Sequence, residues 1–471
     1  MTQAIKIIIG PPGTGKTTRL LDIMETEIKN GVQPNRIAFC SFTKKAAEEA
    51  ADRAMDRFGF SRKDLPHFKT NHSLAFYNAG IKKKDVVGPK DLKVIGEHLG
   101  LKFNLRYGMT EVSPYTVNKG DQYLFIDGFS RARMIEPVVI WDKILRDELN
   151  WYEFLRFQDT YNQYKKDRNL VDFADMLKMG DAPIDVDVLI IDEAQDLSTA
   201  QWHFIRNTFS KAKRVYIGGD DDQAIFSWSG ADVEYFLGIK GEQEILRHSY
   251  RIPKKVHDFA ESISSRIRHR TKKEYIPRKE EGSVSYWNAP DHVDLSSGTW
   301  LLLARNAYLL DELQKTVKNQ GYIYSVKGEI AANSTHIRAI QLWERGRKGQ
   351  LLTDAEKDAL RPFLGPGQWP SSKIWHEAFV GMDIEDREYY ISILRRGQSL
   401  TAAPRINIST IHGVKGGEAD NVLLLSDQSY LTWEGAHFDQ DSEHRVWYVG
   451  ATRCRNNLHI VLPRGRYGYD L

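Results

Sequence analysis

The chain has 471 residues, and its 66 Lys or Arg residues nearly balance 63 Asp or Glu residues, which leaves a formal net charge of +3. This balance gives no strong overall field toward nucleic acid or membrane, and 27% charged with 41% hydrophobic residues is typical of a globular protein of about three domains. The two cysteines, Cys40 and Cys454, exclude a disulfide framework, an iron–sulfur cluster and zinc fingers, and with no signal-peptide pattern or membrane-length apolar run they favour a reducing, cytoplasmic location.

Apolar strands alternate with helical patterns along most of the chain, which predicts parallel sheets with helices on both faces. In the N-terminal part we predict two strands with a helix after each, over Ile5–Ile9, Thr17–Lys29, Arg36–Ser41 and Lys44–Phe58. Two further apolar strands are predicted over Val186–Ile191 and Arg214–Ile217. The intervening residues 79–168 are irregular and richer in helical pattern, as expected of an inserted domain.

The second half repeats this organisation. From Arg251 to Lys279 the chain carries ten Lys or Arg residues against three acidic ones, and we predict a basic helical stretch there. Strands are predicted again over Val284–Trp287, Thr299–Leu303, Ile406–Thr410, Asn421–Leu425 and Leu458–Leu462. The pattern therefore predicts two α/β domains, residues 1–78 with 169–252 and residues 253–330 with 405–471, each interrupted by a mainly helical insertion, 79–168 and 331–404.

Residues 10–17, Gly-Pro-Pro-Gly-Thr-Gly-Lys-Thr, fit the phosphate-loop pattern G-x-x-x-x-G-K-[ST] in full, between a predicted strand and a predicted helix. The alternative is a glycine-rich turn with a solvated lysine. In a phosphate loop, backbone N–H groups and the positive end of the helix dipole surround the phosphates. We predict that Lys16 reaches the β- and γ-phosphates and that the Thr17 hydroxyl holds Mg²⁺. The predicted nucleotide contacts are Gly10, Pro11, Pro12, Gly13, Thr14, Gly15, Lys16, Thr17, Thr18 and Arg19.

A second part of such a site follows the predicted strand over 186–191. Asp192 would hold Mg²⁺ through its water shell, and Glu193 would orient and deprotonate an attacking water. An apolar strand that ends in acidic residues is, taken alone, most often only a strand that meets solvent. Together with the phosphate loop, however, it predicts a nucleoside-triphosphate hydrolase, and the two motifs do not say what the hydrolysis drives.

Further short motifs occur in a fixed order around Asp192-Glu-Ala-Gln-Asp196. They are S-F-T-K-K-A-A at 41–47, T-N-H-S-L at 70–74, L-V-D-F-A-D-M-L at 170–177, G-D-D-D-Q-A-I-F-S-W-S-G-A at 219–231, S-Y-R at 249–251, T-I-H-G-V-K-G-G-E at 410–418 and Y-V-G-A-T-R at 448–453. In this order they resemble the motifs of the UvrD/Rep/PcrA group of superfamily 1 DNA helicases. The resemblance implies two RecA-like P-loop NTPase domains, ATP and Mg²⁺ as cofactors, and single-stranded DNA and single-strand/duplex junctions as partners, with replication or repair proteins as possible further partners.

The same resemblance assigns roles around the nucleotide. Gln223 would contact the γ-phosphate or the attacking water. Arg251 and Arg453 would be arginine fingers that neutralise charge on the transferring phosphoryl group. Tyr250 would stack on adenine, and Glu418 would bind the ribose hydroxyls. For any single arginine outside such motifs, a solvated or salt-bridged role would be the ordinary expectation.

The resemblance also implies DNA contacts. Phe42, Phe226 and Trp228 match aromatic residues that stack on single-stranded bases, a sequence-tolerant contact worth about 1–3 kcal/mol per base. An isolated aromatic residue would more often belong to a core, but Trp228 lies between two serines in a polar loop. The remaining matched DNA contacts are Thr43, His72, Thr410 and His412, the last three on the phosphate backbone. The basic stretch 266–273 either contacts nucleic acid or forms a solvated helix face.

The sequence departs from the family pattern at several positions. Only nine residues precede Gly10, so the upstream glutamine motif that reads adenine is missing from this sequence. Thr18 and Ser229 stand where the family has arginine, and the insertion 331–404 is short. These features resemble compact members found in phages or mobile elements, which would act in the cytoplasm of a bacterial host.

The function expected from this resemblance is ATP-dependent movement 3′→5′ on single-stranded DNA with separation of duplex. The alternative is an ATP-gated clamp on single-stranded DNA or a protein-displacing translocase with little unwinding. A nuclease–helicase is a third possibility, although no metal-binding nuclease motif is visible outside the matched motifs.

Overall fold

The computed structural model describes residues 3–104, 118–141, 149–365 and 373–471. The chain divides into two compact units. The first consists of Met1–Arg251, Arg266–Arg278 and Asp441–Arg445, and the second of Ile252–Ser265, Lys279–Gln440 and Val446–Leu471. Each unit contains one mainly parallel sheet surrounded by helices, which confirms the predicted α/β class with two parallel-sheet domains.

The first sheet has six strands in the order β3-β2-β4-β5-β1-β6, and all neighbouring strands are parallel. Its strands are β1 Ala4–Ile9, β2 Ile37–Ser41, β3 Phe68–Thr70, β4 Val188–Asp192, β5 Arg214–Gly219 and β6 Glu242–Ile245. The α-helices of this unit are α1 Lys16–Lys29, α2 Lys44–Phe58, α3 Asn71–Asn78, α4 Pro89–Leu99, α5 Lys119–Arg133, α6 Pro137–Trp141, α7 Trp151–Arg168, α8 Phe173–Met179, α9 Thr199–Thr208 and α10 Val233–Gly238.

Both faces of the first sheet are covered, because successive side chains along a strand point to opposite faces. Ile7, Ile9 and Ile191 belong to the core on one face, while Ile8 and Ile190 belong to the core on the other. The predicted insertion 79–168 contains α4 to α7, which enclose a separate aromatic core. That core includes Tyr123, Phe154, Phe157 and Tyr161.

The second sheet has seven strands in the order β10-β9-β11-β8-β12-β13-β7, and only the β9–β10 pair is antiparallel among the described strands. Its strands are β7 Ser283–Trp287, β8 Trp300–Ala304, β9 Tyr324–Val326, β10 Glu329–Ile330, β11 Ile406–Thr410, β12 Ala419–Leu425 and β13 Cys454–Val461. The later helices are α11 Lys254–Ser264, α12 Leu310–Asn319, α13 Ser334–Arg347, α14 Asp354–Leu360, α15 Trp375–Ala378, α16 Ile384–Arg395, α17 Tyr430–Ala436 and α18 Gln440–Ala451.

The insertion 331–404 supplies α13 to α16, and it differs from the first insertion in how it is packed. Trp343 and Trp375 of these helices lie in the same core cluster as Leu302 and Ile408 of the second sheet. The second insertion therefore has no core of its own within the described ranges. None of the helices in those ranges is long and apolar enough to cross a membrane.

The basic stretch after Arg251 differs from its prediction. It is helical only over Lys254–Ser264, and the prediction is wrong for residues 267–279, which are irregular. The cause is that Arg270 and Lys273 turn inward to pair with buried aspartates of the first unit. Residues 266–278, assigned by pattern to the second domain, accordingly lie in the first unit.

Candidate functional site

The predicted site residues of the first unit gather at one edge of its sheet, because the carboxyl ends of parallel strands share an edge. The phosphate loop follows β1, and Glu193 follows β4. The segments that follow the other strands at this edge begin at Phe42 after β2, Asn71 after β3, Asp220 after β5 and Leu246 after β6.

The phosphate loop needs glycine at two positions for different reasons. Gly13 and Gly15 have φ angles of 72° and 79°, in the left-handed region that favours glycine. A Cβ at Gly13 would also lie 2.3 Å from Cβ of Arg251, so no side chain fits between the loop and the 249–251 segment. Gly15 precedes α1 directly and has no side chain to cap it, which leaves the first N–H groups of the helix to a ligand.

Lys16 and Thr17 meet the acidic end of β4. The ammonium of Lys16, only 9% exposed, lies 2.7 Å from Oε1 of Glu193 and 3.5 Å from Oδ1 of Asp192. Burial alone would lower the pKa of Lys16, but the two carboxylates outweigh it and raise that pKa above its usual value, so the ammonium stays charged. The Thr17 hydroxyl donates to Oδ2 of Asp192 at 2.8 Å. These hard oxygen donors are the class that Mg²⁺ takes, so the residues fit this ion.

Glu193 is held in a defined position on both sides. Its φ and ψ of 54° and 40° lie in the left-handed region, which is uncommon for a residue with a side chain. One carboxylate oxygen contacts Lys16, and the other accepts a 2.6 Å hydrogen bond from Nε2 of Gln195. Gln195 is fully buried, so it fixes the direction in which the Glu193 carboxylate points.

The loop after β5 connects to this arrangement through Asp220. The backbone N–H of Asp220 donates to Oε1 of Gln195 at 3.0 Å. Oδ2 of Asp220 accepts a 2.6 Å hydrogen bond from Nε2 of Gln223. Glu193, predicted to activate the attacking water, and Gln223, predicted to contact the γ-phosphate or that water, are therefore joined through Gln195 and Asp220.

The Ser249-Tyr-Arg segment is attached directly to the phosphate loop. The Ser249 hydroxyl donates to the carbonyl of Pro12 at 2.7 Å, and the Tyr250 N–H donates to the carbonyl of Gly13 at 2.8 Å. The Tyr250 side chain is 77% exposed. An exposed aromatic ring at a fixed position beside the loop suits the predicted stacking on a base.

The two residues after Thr17 have separate surroundings. Thr18 is exposed. Arg19 donates through Nε and Nη2 to the carboxylate of Glu244 in β6, at 2.7 and 2.9 Å. This two-point ion pair ties α1 to the edge of the sheet, and a contact between Arg19 and nucleotide stays a prediction.

Three aromatic residues predicted to contact DNA form a row in the first unit. Phe42 stacks on Phe226 with ring centroids 5.0 Å apart, and Phe226 lies 6.5 Å from Trp228 in a tilted arrangement. All three rings are partly buried. The hydroxyl of Thr43, beside Phe42, accepts from the N–H of Ala46 at 3.2 Å and caps α2.

The C-terminal end of α5 holds the loop that carries Trp228. Arg133 donates to the carbonyl of Ala231 at 2.9 Å and lies 3.2 Å from Oδ1 of Asp232. Gly230 has a φ of 97°, and a Cβ there would lie 2.8 Å from Cβ of Ala132. The helical insertion thus sets the position of the predicted DNA-stacking loop.

His72 lies near the start of α3, where its ring meets Phe173 edge-on at 5.4 Å. Burial lowers the pKa of His72 to about 4, although Asp172 opposes the shift. The imidazole is therefore neutral at pH 7. It could meet a DNA phosphate as a hydrogen-bond donor but not as a cation.

The predicted site residues of the second unit lie at opposite ends of the parallel strands of its sheet. Thr410 is the last residue of β11 and His412 follows it, whereas Glu418 and Arg453 precede the amino ends of β12 and β13. Arg453 is 2% exposed and donates from Nε to the carbonyl of Val449 at 3.0 Å. Glu418 pairs with Arg455, with 3.0 Å between Oε1 and Nε. Their contacts with nucleotide or DNA stay predictions.

Motif analysis missed three residues of the site. Gln195 and Asp220 lie inside recognised motifs, but the motifs alone assign them no role because both act on neighbouring side chains and not on the nucleotide. Lys273 was part of a basic run that gives no sign of burial. Its role is visible only in the structure, where its ammonium lies within hydrogen-bonding distance of Asp220, Asp221 and Asp222.

Comparison with known proteins finds one family match in the N-terminal half of the chain and a shorter one near its C-terminus. Residues 2–244 match the family model of the UvrD/REP helicase N-terminal domain, and residues 390–464 match that of the UvrD-like helicase C-terminal domain.

The ATP-dependent DNA helicase Rep of Buchnera aphidicola is 25% identical over 316 residues, which cover 60% of this chain and 45% of the relative. For Rep of Escherichia coli the identity is 22% over 267 residues, 49% of this chain and 36% of the relative. This chain thus spans less than half the length of these Rep relatives. A probable DNA helicase of Mycoplasma pneumoniae is 20% identical over 500 residues, with 98% of this chain and 80% of the relative covered.

Proposed function

The chain belongs to the UvrD/REP helicase family, and from this premise we propose that it is an ATP-dependent DNA helicase that moves 3′→5′ along single-stranded DNA and separates duplex. One observation carries the proposal. A phosphate loop whose Lys16 contacts Asp192 and Glu193 follows one strand of a parallel sheet, and the aromatic row of Phe42, Phe226 and Trp228 includes a residue that follows another strand at the same edge. The proposed hydrolytic site and the proposed stacking surface thus lie at the same edge of one sheet.

The proposed hydrolysis uses charges that are already positioned. Lys16 would exchange its contact with Glu193 for the β- and γ-phosphates, which frees that carboxylate to take a proton from the attacking water. Gln195 keeps the Glu193 side chain oriented during this exchange through its 2.6 Å hydrogen bond. Thr17 and Asp192 would hold Mg²⁺, which when bound neutralises charge on the phosphates.

The proposed grip on DNA is sequence-independent. Aromatic faces accept any base, so a row of partly buried rings suits a protein that steps along any strand. Gln223 lies three residues before Phe226 and five before Trp228 in the same loop. A displacement of Gln223 on a change at the γ-phosphate would therefore reach the stacking residues through a few residues of the same loop. The direction of movement is proposed from the likeness of the motif set to the 3′→5′ branch of the superfamily.

The test combines ATP hydrolysis with strand separation. Wild-type protein and the Lys16→Ala variant are incubated with ATP, Mg²⁺ and a labelled duplex that carries a 3′ or a 5′ single-stranded tail, with a trap strand to prevent reannealing. We expect DNA-stimulated hydrolysis and separated strands from the 3′-tailed duplex. Lys16→Ala should give neither, because the phosphates lose their principal cation.

Each other outcome overturns a different part of the proposal. A preference for the 5′-tailed duplex contradicts the direction and leaves the ATPase assignment standing. Hydrolysis without separated product favours the ATP-gated clamp or the protein-displacing translocase. Full hydrolysis by Lys16→Ala contradicts the assignment of the phosphate loop.

A further inference from the structure

Three consecutive aspartates, Asp220–Asp222, follow β5 and are completely buried. Buried carboxylates without partners strongly destabilise a fold. Here a single ammonium meets all three of them. Nζ of Lys273 lies 2.8 Å from Oδ1 of Asp220, 2.7 Å from Oδ1 of Asp221 and 3.0 Å from Oδ2 of Asp222, and its side chain is 1% exposed.

Other groups hold Asp221 and Asp222 independently of Lys273. Arg270 donates to Asp222 through Nε at 2.9 Å and through a second guanidinium nitrogen. The N–H of Thr271 donates to Asp221 at 2.7 Å, and Nε of Arg445 donates to the Asp221 carbonyl at 2.8 Å. The segment 266–278 is therefore anchored at several points without the ammonium.

Asp220 is different, because Lys273 is its cationic partner on one side and the proposed ATPase residues lie on the other. Oδ1 receives the ammonium and, at 3.3 Å, the N–H of Asp222. Oδ2 receives Gln223 at 2.6 Å, and the Asp220 N–H reaches Gln195, which in turn holds Glu193. A displacement of Asp220 would thus move both Gln195 and Gln223.

We propose that Lys273 is a positioning residue of the ATPase, whose ammonium holds Asp220 in one orientation so that Gln195 and Gln223 hold Glu193 and the nucleoside triphosphate in register. The inference rests on the proposed function. Lys273 acts through Asp220 and not on the nucleotide, so its loss should lower turnover while nucleotide affinity is retained.

Removal of the ammonium also changes how the cluster titrates. Its remaining charged neighbours are Arg270, Arg445 at the Asp221 carbonyl, and Lys16, whose ammonium feels the charge of Asp220. Burial already raises the pKa of Asp222 to about 6, against the opposing effect of Lys273. Without Lys273 the pKa of Asp222 should therefore rise further, and a proton bound there should be released as the pH rises.

The test compares the Lys273→Met variant with wild type and with Lys211→Met, which replaces an exposed lysine of the same unit. DNA-stimulated ATP hydrolysis is measured from pH 6 to 9, and binding of a fluorescent ATP analogue is measured in parallel. For Lys273→Met we expect kcat to fall roughly 10- to 100-fold at pH 7 while the analogue affinity stays within about threefold. We also expect kcat of this variant to recover in part as the pH rises, and Lys211→Met to match wild type.

The double variant Lys273→Met/Asp222→Asn removes one buried carboxylate together with the cation. It keeps the test decisive if the single variant does not fold, since it should fold and still show reduced kcat with retained nucleotide binding. Unchanged kcat in either variant overturns the inference, as does a pH-independent loss that tracks lost analogue binding. Wild-type protein that hydrolyses no ATP in the same assay contradicts the proposed function instead.

Discussion

At the scale of single residues, Glu193 differs from its neighbours in its left-handed backbone conformation. It is one of four non-glycine residues with positive φ in the described ranges, with Met134, Asn169 and Lys327. Such a conformation costs on the order of 1–3 kcal/mol and persists where neighbours over-determine it. Gln195, Lys16 and the 2.8 Å contact between the Glu193 N–H and Asp192 provide that constraint. The strained residue is also the one whose side chain is proposed to activate water.

The first prediction concerns Glu193→Gln. The amide keeps the size and hydrogen-bonding reach of the carboxylate but cannot take a proton, so ATP binding should persist while hydrolysis falls by about 100-fold or more. Single-turnover hydrolysis and equilibrium binding of ATP distinguish the two effects. Hydrolysis at the wild-type rate would show that another group is the base.

The second prediction concerns pH and His72. The folded protein holds the pKa of His72 at about 4, below the ordinary value of roughly 6.5, so the unfolded chain takes up this proton first as the pH falls. The imidazole therefore lowers the free energy of unfolding progressively as the pH falls from about 6.5 to about 4. His72→Gln lacks this penalty, so the melting temperature of wild type minus that of the variant should decrease from pH 7.5 to pH 5. A difference that is constant over this interval would contradict the burial effect on His72.

At the scale of elements, strands differ in how far their sequences reveal them. The central strands β1, β2, β4 and β5 are apolar runs, because parallel strands covered on both faces need apolar residues throughout. β3 and β6 are the edges of the same sheet, and β9 and β10 lie at one edge of the second. These four have two to four residues and, as in Glu-Gln-Glu-Ile of β6, include polar side chains. They were missed because they are short and mix polar with apolar residues, so their pattern does not differ from that of a loop.

The site residues also differ in whether neighbouring residues in the sequence are enough to predict them. Lys16, Thr17, Asp192 and Glu193 follow from motif chemistry, since the phosphate loop and the Asp192-Glu193 pair come at the carboxyl ends of two parallel strands, which the fold brings together. Lys273 could not be found this way, because its partners lie some 50 residues earlier, beyond the reach of any short pattern. A basic run in a sequence is ordinarily solvated, and only the buried aspartates reverse that expectation.

The third prediction separates stacking from packing at Trp228. Since this ring is partly exposed at the end of the aromatic row, Trp228→Ala should change the melting temperature little and reduce DNA-stimulated ATPase strongly. Trp447, which is completely buried, is the matched control, and its replacement by alanine should cost about 3–5 kcal/mol of stability. A comparable loss of stability in Trp228→Ala would make Trp228 a core residue.

The fourth prediction concerns the contact between α5 and the Trp228 loop. Arg133→Ala removes the donor to the Ala231 carbonyl and the partner of Asp232, so the loop should become less ordered. We expect weaker stimulation of ATP hydrolysis by single-stranded DNA with unchanged hydrolysis in its absence. Arg156→Ala, which alters an exposed position on α7 of the same insertion, serves as the control. Full stimulation in Arg133→Ala would show that α5 does not set the position of this loop.

At the scale of the whole molecule, the path of the chain is unusual. It passes between the two units five times, after Arg251, Ser265, Arg278, Gln440 and Arg445. The first unit is therefore completed by two segments that are encoded among the residues of the second. These segments carry Arg270, Lys273 and Arg445, the cationic residues that contact Asp220–Asp222.

The fifth prediction uses the fragment 1–251, which lacks these three cations. Asp220–Asp222 would lose these cations there, and a carboxylate that stays buried without its partner costs about 3–5 kcal/mol. The double substitution Asp221→Asn/Asp222→Asn should therefore stabilise the fragment in urea unfolding and destabilise the full chain, where the cations remain. The same sign in both backgrounds would contradict the charge-compensation argument.

The two insertions should differ in how their sequences vary among related proteins. The aromatic core of the first insertion is separate from the cores on the two faces of the sheet, so substitutions inside it can accumulate without adjustment of the sheet residues. Trp343 and Trp375 of the second insertion share one core with Leu302 and Ile408. A change in volume at one of these positions must be matched at another. Across many relatives, the second insertion and its sheet should covary, whereas the aromatic core of the first insertion should vary independently of its sheet.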